Sequence, residues 1–257
     1  MIKAVFFDID GTLVSFKTHR MPDSTLRALD ALRRKGIKAF IATGRHELLI
    51  DNVDTSLFDG IVSLNGQCVR LGGEVVYTHA IPAADTRAAV RYAEETGVAT
   101  IFEGVDFIRI NRVTDRAREG ATLINLHFPE PAGIADIPDY PILQLILFGN
   151  REQEEALLRG MPSCEATRWT HLLCDIIPRG GGKDVGIGKV LERYGFSREE
   201  CMAFGDGDND ISMLRYAGIG VAMGNADAAV KAAADYVTTG VDRSGVAKAL
   251  RRFGVIE

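Results

Sequence analysis

Val5-Phe6-Phe7-Asp8-Ile9-Asp10-Gly11-Thr12-Leu13 is the stretch on which the reading of this chain turns. Ala4 to Phe7 is a short apolar run of the kind that makes a buried parallel strand; two carboxylates follow at once, then a glycine that lets the chain turn sharply. Side chains alternate along extended chain, so Asp8 and Asp10 share a face while Ile9 points away. Two like charges that close repel, and one carboxyl pKa rises unless a cation sits between them. The pair suits one anionic nucleophile or metal ligand and one general acid. A calcium-loop turn is the competing reading, but such a loop needs Glu six residues after its glycine, where Lys17 stands.

Working outward, Asp23-Ser24 can cap a helix with Leu26, Leu29 and Leu32 on one side and Gly36 at its end. Ile37 to Ala42 is a second apolar strand, ending in Thr43-Gly44-Arg45. Strand, helix and strand make a βαβ unit, which brings both strand ends to the carboxyl edge of a parallel sheet, where open α/β sheets bind ligands. There Thr43 can offer its hydroxyl and backbone N–H to a phosphoryl oxygen, and Arg45 can add charge. Ile61 to Leu64 is a third strand, followed by Asn65-Gly66, which a plain hairpin turn explains as well as a ligand contact does. Val75 to Ile81 is extended.

From about Pro82 to Arg179 the pattern changes. Asp85 to Glu95 and Arg151 to Leu158 are helical, whereas Val98 to Phe102, Phe107 to Ile110, Thr122 to Phe128, Leu143 to Phe148 and Leu172 to Ile177 are extended. This mixture predicts an α+β module with its own antiparallel sheet, entered and left through Pro82 and the Pro178-Arg179-Gly180-Gly181-Gly182 connection. Lys183 then opens a helix to Tyr194. A P-loop is excluded there, since Asp184 stands where Ser or Thr is required. Met202 to Phe204 is a strand leading into Gly205-Asp206-Gly207-Asp208-Asn209-Asp210, an oxygen-rich segment suited to Mg²⁺. A dinucleotide loop at Gly218-x-Gly220 is excluded, because the next glycine, Gly224, comes one residue too late.

The whole chain has 257 residues, enough for one large domain or a core with an inserted module, and 46% hydrophobic with 25% charged residues is ordinary for a soluble globular protein. A net charge of −5 gives no electrostatic case for a nucleic-acid partner. Cys68, Cys164, Cys174 and Cys201 form no C-x-x-C pair and read as buried reduced thiols. Lys3 and two aspartates within the first ten residues exclude a signal peptide, and no apolar run approaches the roughly 20 residues of a membrane span. The expectation is a cytoplasmic protein with no membrane association.

Taken in order, Asp8-Ile9-Asp10-Gly11-Thr12-Leu13, Thr43-Gly44-Arg45, Lys183 and Gly205-Asp206-Gly207-Asp208-Asn209-Asp210 resemble the four motifs of the haloacid dehalogenase superfamily. The dehalogenases themselves lack the second aspartate, so Asp10 points to the phosphoryl-transfer branch, and Thr43-Gly44-Arg45 is the form of its Cof-type members. Ala217 to Ala226 is similar to that family's next strand and turn. The resemblance implies an α/β fold: a Rossmann-like parallel-sheet core, residues 1–81 and 180–257, with an inserted α+β cap of the C2B type, residues 82–179. It implies Asp8 as nucleophile, Asp10 as general acid/base, and Thr43 and Lys183 as stabilisers of phosphoryl oxygens. Mg²⁺ is the implied cofactor, held by Asp8, the Asp10 carbonyl and Asp206 with support from Asp210; Gly44, Arg45, Asn65 and Asn209 join Thr43 and Lys183 around the substrate. The implied reaction is hydrolysis of a small phosphate ester, a sugar phosphate or phosphorylated cofactor, through an aspartyl-phosphate, by a monomer or homodimer. A phosphomutase and a non-enzymatic sensor of phosphometabolites are the alternatives. Specificity is expected in the cap, with Glu103, Asp106, Arg109, His171 and Arg179 as surface candidates.

Overall fold

A strand with apolar residues on both faces needs a cover on both, and Ala4–Phe7 (β1) has one. Val5 and Phe7 enter one core cluster, Ala4 and Phe6 the other. The computed structural model describes residues 1–124, 127–168 and 170–257. After β1 come β2 (Lys38–Ala42), β3 (Gly60–Ser63), β4 (Cys68–Leu71), β5 (Glu74–Thr78), β6 (Thr100–Glu103), β7 (Ile108–Ile110), β8 (Gln144–Leu147), β9 (Cys164–Thr167), β10 (Cys174–Pro178), β11 (Cys201–Gly205), β12 (Ile219–Ala222) and β13 (Tyr236–Val237). Contacts divide the chain into two units, Met1–Tyr77 with Gly182–Glu257, and Thr78–Gly181.

The first unit carries a sheet of order β13-β12-β11-β1-β2-β3-β4-β5. From β13 to β3 every pairing is parallel, and β4 returns antiparallel to β3. Strand order reverses at β1, whose neighbours are β2 on one side and β11 on the other, so this doubly wound α/β sheet has its switch point at the end of β1. Helix α1 (Asp23–Arg34) and the helix Gly245–Arg252 cover one face; α5 (Lys183–Tyr194) and α6 (Ile211–Tyr216) cover the other. In α1 the buried set is Thr25, Ala28, Leu29 and Leu32, an i, i+3, i+4, i+7 stripe. Leu26 lies beside that stripe and is exposed, and Pro22, not Asp23 or Ser24, occupies the N-cap.

The second unit holds an antiparallel sheet of order β7-β6-β8-β10-β9. Helices α2 (Ala83–Thr96) and α4 (Arg151–Arg159) form near the expected positions. The expected extended run Thr122–Phe128 does not form: Thr122 to Ile124 end helix α3 (Asp115–Ile124), His127 and Phe128 lie in no strand, and 125 and 126 fall outside the described residues. The missed signal is Thr114, whose hydroxyl oxygen accepts from the Ala117 N–H at 3.2 Å and starts the helix. All four cysteines are free and buried, each opening a strand. No helix among the described residues is long and apolar enough to cross a membrane.

Candidate active site

Because β1, β2, β3 and β11 run parallel, their carboxyl ends deliver Asp8, Thr43, Asn65 and Asp206 to one edge. Lys183 comes to the same edge as the first residue of α5. Its approach depends on glycine at position 66, where φ is +90° and any Cβ would collide with the Gly182 carbonyl.

Lys183 is fully buried, and its ammonium donates to Asp8 Oδ1 at 2.7 Å and to Asp210 Oδ1 at 2.6 Å. Burial alone would lower its pKa; Asp210 and Asp8 outweigh burial and hold it above the ordinary lysine value. Asp210 has both oxygens engaged, since Oδ2 accepts from the backbone N–H groups of Asp206 and Gly207 at 2.8 and 2.9 Å. It therefore braces the loop from within. Asp8 is pushed up to about 7 by burial and by Asp210, against the pull of Lys183. Asp206 is pushed up to about 8 by burial, Asp8 and Asp210. Gly11 lies against the Asp206 carboxylate with φ +80°, where a Cβ would collide with Oδ2.

One oxygen from each of Asp8, Asp206 and Asp210 lies within 4.8 Å of the others. Three carboxylates against the single charge of Lys183 leave two negative charges in a mostly buried space, and the raised carboxyl pKa values record that deficit. Hard oxygen donors with a charge of −2 to neutralise fit a divalent cation of the Mg²⁺ type. Asp8 and Asp206 could hold it, with Asp210 behind them.

Asp10 turns to a different partner. Arg45 Nε and Nη2 each donate to one of its oxygens at 2.7 Å, a bidentate fork. Both oxygens of the Asp10 carboxylate are therefore turned to Arg45, and Asp10 is not among the carboxylates grouped with Asp8. The Thr43 N–H donates to the Val62 carbonyl at 2.8 Å, so it is not available to a phosphoryl oxygen as expected. The Thr43 hydroxyl oxygen accepts from the Arg45 N–H at 3.1 Å and retains its own hydrogen to donate. Asn209 donates to Asn65 Oδ1 at 2.9 Å, and Gly44 packs against both amides. All ten expected site residues thus belong to the first unit. Thr12 and Asn225 were missed: they donate to Asp206 Oδ1 and Oδ2 at 3.1 and 2.9 Å. The signal for Asn225 was its place just beyond β12, another strand ending at this edge.

Of the five residues expected on the surface of the second unit, Glu103 is not there. It is fully buried and accepts from Gln144 Nε2 at 2.8 Å, opposite it in register, because β6 is an inner strand flanked by β7 and β8. Burial and Asp175 push its carboxyl well above the usual range. Arg109 is paired with Asp136, while Asp106, His171 and Arg179 are exposed.

Residues 5–250 match the family model of haloacid dehalogenase-like hydrolases. The chain is 36% identical to "Putative phosphatase YkrA" of Bacillus subtilis (strain 168) over 258 residues, covering 99% of each. Its fold matches the solved structure of the subclass IIB sugar phosphatase BT4131 with a TM-score of 0.92 and 41% identity, covering 99% of this chain and 100% of that one. It matches the phosphatase BT1666 of Bacteroides thetaiotaomicron with a TM-score of 0.91 and 38% identity, covering 100% of this chain and 96% of that one. With its motifs at one sheet edge and these likenesses over its whole length, the chain belongs to the haloacid dehalogenase-like hydrolase family, among its phosphatases.

Proposed function

We propose that this phosphatase is Mg²⁺-dependent and hydrolyses small phosphate monoesters, sugar phosphates foremost, through an aspartyl-phosphate on Asp8. The observation that carries this reading is the buried Lys183 ammonium held at 2.7 Å on Asp8 Oδ1. It screens one oxygen of the carboxylate and leaves the attacking group beside a fixed positive charge. The likeness to BT4131 along the whole chain supports a sugar phosphate before a phosphorylated cofactor.

The Asp8 oxygen attacks phosphorus, and the bond to the ester oxygen breaks as the new one forms. Lys183 and the Thr43 hydroxyl stabilise the charge on the transferring group. Asp10, aimed by the Arg45 fork, gives a proton to the leaving oxygen and then takes one from the water that cleaves the acyl phosphate. Asn65 holds Asn209, and Gly44 keeps room beside them for a phosphoryl oxygen. When bound between Asp8, Asp206 and the Asp10 carbonyl, Mg²⁺ supplies the charge neutralisation that lets one anion approach another.

Asp10→Ala tests the assignment. An aryl phosphate has a good leaving group and barely needs a general acid, but the intermediate still needs a base. The variant should release a burst near one equivalent of phenol and then turn over slowly, and should do neither with an alkyl phosphate. Wild-type rates on the alkyl ester would refute the role.

A further inference from the structure

We propose that Asn225 is a positioning residue of the metal centre, which sets the orientation of the Asp206 carboxylate through a neutral donor; the inference rests on the metal-dependent reading above. Asn225 Nδ2 donates to Asp206 Oδ2 and to the Gly11 carbonyl, both at 2.9 Å. At its other end Oδ1 accepts from the Val241 N–H at 3.0 Å. This pattern fixes which amide atom is which. The Val241 N–H can only donate, so oxygen faces it; the Gly11 carbonyl can only accept, so nitrogen faces it and Asp206 beside it.

Both hydrogens of one nitrogen thus join the chain leaving β1, at Gly11, to the chain leaving β11, at Asp206. Thr12 holds the second Asp206 oxygen, at 3.1 Å, so each oxygen has one neutral donor and the carboxylate cannot rotate freely. The other end of the tether is firm, since Val241 is buried in the core and Gly224 packs so closely on the Thr238–Gly240 backbone that no Cβ would fit. The neutrality matters. A lysine at this position would orient Asp206 as well, yet would cancel the charge that attracts a cation, whereas an amide orients without competing.

The alternative is that Asn225 merely pins the Val241 loop, and metal affinity separates the two. Mn²⁺ binding to the full chain, followed by electron paramagnetic resonance without substrate, should weaken roughly 10- to 100-fold in Asn225→Ala. The Mg²⁺ concentration for half-activation should rise in step, with the KM for an aryl phosphate at saturating Mg²⁺ moving far less. Unchanged Mn²⁺ affinity with a lowered melting temperature would overturn the proposal and leave a loop pin. Failure of the wild-type chain to bind Mn²⁺ would overturn the metal-dependent reading and the proposal with it. If Asn225→Ala does not fold, the wild-type side-chain amide decides by nuclear magnetic resonance. Two resolved, exchange-protected Nδ2 protons that shift on Mg²⁺ addition are expected, and a solvent-like pair indifferent to Mg²⁺ overturns the idea.

Discussion

Removing the metal should make this fold pH-sensitive in a direction that the site dictates. In the metal-free protein Asp8 is pushed up to about 7 and Asp206 to about 8, from an ordinary aspartate value of 3.8. A carboxyl raised in the folded state keeps a proton that the unfolded chain has already lost. Its contribution to stability is therefore full below about pH 4 and is lost as pH rises through the folded value. One unit of displacement corresponds to about 1.4 kcal/mol, so ionising the pair between pH 4 and 8 withdraws on the order of 8 kcal/mol from the metal-free fold. A divalent ion reverses this by taking the place of the protons. At pH 7 Asp8 is roughly half protonated and Asp206 mostly so, and Mg²⁺ binding should expel roughly one proton. Titration calorimetry in buffers of different ionisation enthalpy counts that proton. Scanning calorimetry should show the melting gap between Mg²⁺-loaded and chelator-treated protein widening from pH 5 to pH 8. Binding with no proton release and a constant gap would refute the electrostatic account of the site.

Three further outcomes follow from the same geometry. Lys183→Met leaves Asp8 and Asp210 buried without their cation, so the metal-free variant should lose about 3–5 kcal/mol of stability in denaturant melts, and Mg²⁺ should restore stability but not phosphate release. Gly66→Ala places a Cβ against the Gly182 carbonyl and should displace Lys183, lowering turnover at least as much as stability; wild-type turnover would exclude the close approach. Glu103→Gln removes a buried carboxyl whose folded pKa is raised, so the variant should melt at the wild-type temperature near pH 5 and above it near pH 8, as scanning calorimetry can check.

The candidate edge was legible because its information is local. Asp8 follows directly on β1, and a strand–helix–strand pattern brought Thr43 to the same edge. The second unit was less so. Thr122-Leu-Ile-Asn-Leu-His-Phe128 has the apolar, β-branched character of a strand, and a helix started by Thr114 overrides it for its first residues. Glu103 shows the same limit on a single side chain, since polarity beside an apolar strand reads as surface until the neighbouring strand is known. Pairings across the chain were hidden for a related reason. Periodicity tells which way a side chain points, not what stands opposite, so neither the fork of Arg45 on Asp10 nor the reach of Asn225 to Asp206 could be read from spacing. Two aspartates one residue apart announce only that negative charge must be neutralised. The close seat of α5 against the Asn65-Gly66 turn shows how the task is divided. Lys183 answers Asp8 and Asp210 from inside the protein, Arg45 answers Asp10 at the rim, and the charge left on Asp8 and Asp206 is met by protons until a cation takes their place.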